Sequence, residues 1–412
     1  ARCTTLLQDA ADLSDVLMSA VLDLPVEWVD NTARLNALCS HWLACQALAL
    51  DTEFIRERTY YPIMGLIQVN DGQGIYLIDP LADLDFGRFK EVLSATSVLK
   101  VFHAAGEDLD VFEYFLGLLP QPIFDTQIAA AYCGLDVQMG YQRLVQALFD
   151  ITLSKHETRS NWLLRPLSSS QCDYAAEDVR FLLALYRQLL ARLEHLSRRH
   201  WVEAECEAVL KRGRSAKTTE HYYLKFTNAC HFSYHQQRLL QALCVWREEE
   251  ARRRDLPRSF ILPENCLLSV AEAQPNTVAA LKPLLASCQR ELHRFGAEIV
   301  QLSLQITNEA QKEDFVFIPL PPRKENKALI DILKQAVQAK AKQLNLVPEL
   351  LLNRKTLEKI VLSVLKPELG AWQRLLSGWR EQQLVELLEK TLQEQRALIE
   401  HLQSLLKTKA PR

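Results

Sequence analysis

Apolar positions come in short blocks along the first half of the chain and in long helical periods along the second. "QALALDTEF" is an apolar run of strand length. "MGLIQVN" and "GIYLIDP" follow it, separated by a D-G and G-Q-G turn region, and "VLKVFHA" is a further β-rich run. Helical patterns lie between or after them: "NTARLNALCSHWLACQ", "AGEDLDVFEYFLGLL", "DTQIAAAYCG", "GYQRLVQALFD" and "SQCDYAAEDVRFLLALYRQLLARLEHL". Strands alternating with helices predict an α/β domain over 26–205, and three early strands joined by short turns predict that part of its sheet is antiparallel. Beyond about 200 the strand signals stop. Residues 218–300 carry several helices broken at Pro257, Pro263 and Pro275, "FVFIPLPPRKEN" is a proline-rich linker, and a second helical block covers 322–408. The first 25 residues, with Asp9, Asp12, Asp15 and Asp23 interrupting their apolar positions, predict a short amphipathic helix. The expected fold class is a multidomain α/β plus all-α chain.

Composition narrows this only slightly. At 412 residues, 48% hydrophobic and 24% charged, the chain is that of a soluble globular protein with two or three compact units. A formal net charge of -3 hides Arg- and Lys-rich stretches at "KRGRSAK" (211–217) and "REEEARRRDLPR" (247–258). Such clusters either bind a polyanion or form helix faces balanced by neighbouring acids. Ten cysteines form no C-x-x-C pair and no zinc-ligand spacing with histidine, so they read as reduced thiols of a cytoplasmic protein. Neither a signal peptide nor a membrane span is expected.

The informative conflict is in "ALALDTEF". Asp51 and Glu53 end an apolar run that calls for burial, where an unpaired carboxylate is costly. Residues i and i+2 of a strand share a face, so the two acids converge and form half of a divalent-metal site. In "FHAAGEDLDVFEYF" a further acid is available at the start of a helix, and spacing alone leaves Glu107, Asp108 and Asp110 open. In "YAAEDVRFLLALY" Tyr174 and Asp178 are four apart on one helix face, where a carboxylate can hold a metal and a phenol can orient a water. Helix capping and solvation are the bland readings of the last two. Together, four carboxylates and a tyrosine support phosphoryl hydrolysis with two Mg²⁺ or Mn²⁺ ions about 4 Å apart.

"LDTEF", "FHAAGEDLDVF" and "YAAEDV" resemble the three motifs of the DEDD exonuclease superfamily, in the subclass with a tyrosine four residues before the last aspartate. Over about 26 to 200, "DTEFIRERTYYPIMGLIQV", "LPQPIFDTQIAAAYCG" and "ETRSNWLLRPLSSSQCDYAAEDV" are similar to the ribonuclease D family. The stretch "FTNACHFSYHQQRLLQALCVWREEEARRRDLPRSFILPENCLLSVA" resembles the helicase-and-RNase-D C-terminal (HRDC) domain, and the block ending "LLSGWREQQLVELLEKTL" resembles a second, diverged copy.

The resemblance implies a ribonuclease H-like mixed-sheet domain followed by two small helical domains. It implies that Asp51, Glu53, Asp108 and Asp178 are metal ligands, Asp108 being chosen by its spacing from His103, and that Tyr174 positions the attacking water. Weaker candidates for substrate contact are Phe54, His103, Lys155, Arg159 and Arg165, while Asp125 is expected to cap the helix that follows it. The implied activity is metal-dependent 3′ to 5′ hydrolysis of RNA to nucleoside 5′-monophosphates by a monomer. Its expected substrates have single-stranded 3′ ends, tRNA precursors above all. The alternatives are a DNA 3′ to 5′ exonuclease and a silent nucleic-acid-binding scaffold.

Overall fold

The computed structural model describes residues 19–153, 160–215, 219–321 and 324–408. Two compact units emerge from its packing. One comprises the chain up to Thr126 with Val145–Arg187 and Glu205–Leu320, and the other Gln127–Leu144, Gln188–Ala204 and the chain from Pro321 onward. The second unit therefore draws on two segments inside the stretch that a linear division gives to the α/β domain.

The first unit holds a six-stranded mixed sheet of β1 (Val26–Val29), β2 (Ala47–Ile55), β3 (Ile63–Asn70), β4 (Ile75–Ile78), β5 (Leu99–Phe102) and β6 (Ile123–Asp125), in the order β1-β4-β3-β2-β5-β6. β3 lies between β2 and β4 and is antiparallel to both, as the short turns predict, whereas β5 and β6 add in parallel beyond β2. β2 is thus central, and its first half is apolar and fully buried at Leu48, Ala49 and Leu50. β1 and β6, the edge strands, lie in no extended apolar run and so do not register in the sequence pattern.

The long helices of this unit match their sequence signals. Helix α1 (Thr32–Trp42) starts at Asn31, whose side chain accepts from Arg34 N–H at 2.9 Å. α2 (Gly87–Ser94) packs against it. α3 (Gly106–Leu116) ends at Gly117, which takes the left-handed φ of 76° that terminates a helix without Cβ strain. α4 (Thr126–Tyr132) and α5 (Tyr141–Phe149) follow. α6 (Ser169–Arg180) opens with a capping box, Ser168 and Gln171 each bonding the other's backbone N–H. It packs across β2, β3 and β4, with the buried Ala175 and Ala176 allowing close approach. The Asn70 amide on β3 donates to the Val179 and Arg180 carbonyls at 2.9 and 3.1 Å, fixing which sheet face meets α6. α7 (Leu182–His195) and α8 (Arg199–Ser215) come next, and the segment Gln188–Ala204 within them belongs to the second unit, as does Gln127–Leu144 within α4 and α5. Of the predicted N-terminal extension, residues 19–22 are helical and 1–18 lie outside the described residues. The Arg180 guanidinium donates to the carbonyls of Val21, Leu22 and Leu24.

The helical part of the first unit is built on α9 (Tyr234–Arg254), against which α10 (Glu264–Ala273) and α11 (Gln289–Thr307) pack around an apolar core including Leu239, Leu243, Leu267 and Ile299. In the run 247–258, and at Lys211 in the other run, the described cations are paired within this fold. Arg252 meets Glu248 at 3.0 Å, Arg253 and Arg254 meet Glu250 at 2.7 and 2.6 Å, and Lys211 meets Glu207 at 2.8 Å. The "EEE" in the same stretch therefore balances the arginines, as the bland reading has it.

The second unit contains α12 (Lys327–Gln343), α13 (Arg354–Leu365), α14 (Trp379–Glu394) and α15 (Arg396–Thr408). Trp379 stacks on Trp201 with centroids 4.5 Å apart and meets Tyr132 edge-on, and Arg380 donates to the Tyr132 hydroxyl at 3.2 Å. Among the described residues no helix is long and apolar enough to cross a membrane.

Candidate active site

β2 runs out of the apolar core at Asp51, and the pleat puts Asp51 and Glu53 on one face. β3 pairs them with Gln68 and Leu66, and a β-bulge falls between Glu53 and Phe54. The bulge bends the strand just past the second acid and re-aims Phe54, which is half-buried beside the site. On α6, Tyr174 and Asp178 lie one turn apart, and the Tyr174 phenol bonds the Asp178 carboxylate while its ring leans on Trp162. Oxygen atoms of Asp51, Glu53 and Asp178 all lie within 4.8 Å of one another. Asp108 on α3 is buried and accepts from the Thr52 hydroxyl at 2.5 Å, which ties it to the residue between the two strand acids. Its neighbours Glu107 and Asp110 are exposed, Asp110 turning toward Arg56 at 3.9 Å, so burial resolves what spacing left open.

Electrostatics mark the cluster as short of positive charge. Burial, then the Asp178 charge, holds Asp51 well above the usual carboxylate range. Burial and the charges of Asp51, Asp178 and Asp108 push Glu53 up to about 10. Burial and Asp51 raise Asp108, against the opposing hydrogen bond from Thr52. Asp178 rises to about 7 through burial, held back by the bond from Tyr174. Burial and the three nearby carboxylates keep the Tyr174 phenol protonated, its pKa raised above the ordinary value. Four acids, Asp108 buried and the other three partly buried, with proton affinities raised together are the pattern a hard divalent cation reverses. Their all-oxygen donor set suits Mg²⁺ or Mn²⁺ and not a soft metal.

The other sequence candidates separate. His103 is bonded through Nδ1 to the Thr126 hydroxyl at 2.9 Å, and that hydroxyl also reaches the Phe102 carbonyl, in keeping with the structural reading of this histidine. Arg165 is a correction. Its guanidinium chelates Asp79 at 2.6 and 2.8 Å and donates to the Gly65, Trp162 and Leu164 carbonyls, so its donors are committed to the domain interior rather than to a phosphate. Lys155 and Arg159 lie outside the described residues. Asp125 accepts the Ala104 and Ala105 N–H groups at 3.1 and 2.9 Å, a role beyond the cap expected of it. It thereby holds the turn into α3, where Ala104 has φ 60°, and so places Asp108. Only the distant pairing of 125 with 104–105 reveals that role, and nothing local in "FDTQ" signals it.

A mixed sheet whose central strand delivers two acids to an aspartate and a Tyr-x-x-x-Asp helix defines a 3′–5′ exonuclease. Residues 26–194 match the 3′–5′ exonuclease family and residues 236–302 the HRDC domain family. Ribonuclease D of Pseudomonas paraeruginosa is 38% identical over 368 residues, covering 89% of this chain and 98% of that protein. Ribonuclease D of Escherichia coli is 36% identical over 87% of this chain and 96% of its own length. The crystal structure of E. coli RNase D, described as an exoribonuclease involved in structured RNA processing, superposes with a TM-score of 0.80 at 34% identity, covering 90% of this chain and 99% of that one. The chain belongs to the ribonuclease D family and is a 3′–5′ exoribonuclease.

Proposed function

We propose that Asp51, Glu53 and Asp178, with Asp108, hold two divalent ions, Mg²⁺ or Mn²⁺, and that the enzyme releases nucleoside 5′-monophosphates one at a time from single-stranded 3′ ends of RNA, tRNA precursors among them. The observation that carries this is the convergence of three carboxylates within 4.8 Å, each with its proton affinity raised. Bound metal would supply a nucleophilic water at neutral pH and neutralise charge on the phosphate and the leaving oxygen. The chain's own part is positional. Asp51 and Glu53 are fixed by the sheet, and Asp108 by Thr52. Tyr174 remains a neutral phenol, which suits it to orient an attacking water beside Asp178 by hydrogen bonding. In this reading the protein works as a monomer in the cytoplasm, and residues 322–408 form a second, diverged HRDC-like domain.

The test is a 3′-tailed RNA and its DNA counterpart, each with and without Mg²⁺, for the wild type and Asp178→Asn. Stepwise shortening of the RNA, abolished by EDTA and by the substitution while RNA binding persists, is the expected result. Internal cleavage products, or undiminished activity in Asp178→Asn, would overturn it.

A further inference from the structure

Next to the acids, on the same sheet face, lies a buried polar side chain that finds no hydrogen-bond partner among the described residues. Gln68 on β3 is the register partner of Asp51 and is 0% exposed, and among the described residues neither its Oε1 nor its Nε2 has a hydrogen-bond partner. Buried amides are normally satisfied, and an orphan at both ends calls for an explanation at that spot. Gln68 shares its face with Asn70, two residues on, whose amide bonds α6; the orphan amide therefore looks into the layer between β2 and the helix that carries Tyr174 and Asp178. Leu66, opposite Glu53, is apolar, so Gln68 is the polar group that β3 offers beside the strand acids. Directly opposed residues of an antiparallel pair have Cβ atoms about 5 Å apart, which a glutamine side chain spans to an aspartate carboxylate.

We propose that Gln68 is a positioning residue for Asp51: unpartnered among the described residues, its Nε2–H would donate to the Asp51 carboxylate once a cation is bound and so orient that ligand. A neutral amide suits this place because an arginine or lysine would neutralise Asp51 itself and displace the cation the acids are gathered to hold. Hydrogen bonds of this kind to metal ligands tune affinity without touching the ion.

This inference rests on the metal-site reading above, so its experiment tests the two separately. Mn²⁺ titration calorimetry and thermal denaturation in EDTA are run on wild type, Gln68→Met and, as a ligand control, Asp178→Asn. Methionine keeps the volume and removes the amide. The expected result is Mn²⁺ affinity lowered about 10- to 100-fold in Gln68→Met, with a melting temperature in EDTA equal to or above that of wild type, since an unsatisfied buried amide has been removed. Wild-type affinity in Gln68→Met would overturn the proposal, as would a lowered melting temperature in EDTA, the mark of a merely structural glutamine. Wild-type protein that takes up no Mn²⁺ would overturn the metal-site reading and this inference with it.

Discussion

Glu53, partly buried, and Glu248, buried, are glutamates of the first unit, and their surroundings push them in opposite directions. Glu248, on α9, receives Arg258, the Tyr60 hydroxyl and Arg252, and these partners draw it below the usual carboxylate range against the pull of burial. Glu53 is met by Asp51, Asp178 and Asp108 and rises to about 10. Burial acts with the same sign on both, so the neighbours decide. An acid that serves the architecture arrives with its cation encoded in the chain, here clasping the β2–β3 loop at Tyr60 to the helical domain. On the proposed reading, an acid that serves chemistry is surrounded by more acids, and its cation would come from solution.

The largest effect that tests this contrast is Asp178→Asn. It is expected to lower turnover of a 3′-tailed RNA at least about 100-fold, more than loss of an outer-sphere partner costs, while the melting temperature in EDTA holds or rises because one like charge is gone. Glu248→Gln should do the converse. Stability should drop by on the order of 2 kcal/mol in a denaturant titration, below the range for fully buried pairs because Arg252 and Arg258 keep part of their surface in solvent, and Mn²⁺ affinity should not change. Interchanged phenotypes would collapse the distinction between the two acids.

pH gives a third test. Folded Glu53 has its pKa raised from 4.5 to about 10 and Asp178 from 3.8 to about 7, so in EDTA the native state holds protons that the unfolded chain releases. Stability in EDTA must then fall as pH rises from about 5 to 9. Mg²⁺ binds the ionised acids, so its stabilisation should grow over the same window. Melting curves that are flat with pH in EDTA would show that the acids do not share one field. Tyr174→Phe comes next: slower turnover with Mn²⁺ affinity little changed, read by calorimetry beside a single-turnover assay, whereas lost metal binding would make the tyrosine a ligand-side element. Arg253→Gln should have the smallest effect of all, with melting temperature and RNA affinity both unmoved, because its exposed pair with Glu250 is solvent-screened. A clear loss of RNA affinity would instead show that the arginine leaves Glu250 for phosphate.

What could be read from the chain was what is local. The strand acids, the Tyr174–Asp178 spacing and the long helices are periodicities within one element, and they lie where the pattern places them. Choosing Asp108 over Glu107 and Asp110 from the residues alone was out of reach, because burial against β2 decides it and spacing does not. Arg165 looked like a phosphate ligand since its partner Asp79 is 86 positions away. The bonds from Asp125 to Ala104 and Ala105 were equally out of reach, because those partners belong to another turn 21 and 20 positions away. β1 (VEWV) and β6 (IFD) are the edge strands, and neither lies in an extended apolar run of the kind that marks β4 and β5. Nor does periodicity show that 127–144 and 188–204 pack with the C-terminal helices, for packing between segments far apart leaves no repeat in either one.

Asp178 stands on a helix that follows the last strand of the sheet, far along the chain from Asp51 and Glu53. No early portion of the polypeptide therefore carries a complete set of ligands. On the proposed ligand set, hydrolysis would then arise only once the sheet and its covering helix have come together, and a chain ending before residue 178 would lack one of the four carboxylates.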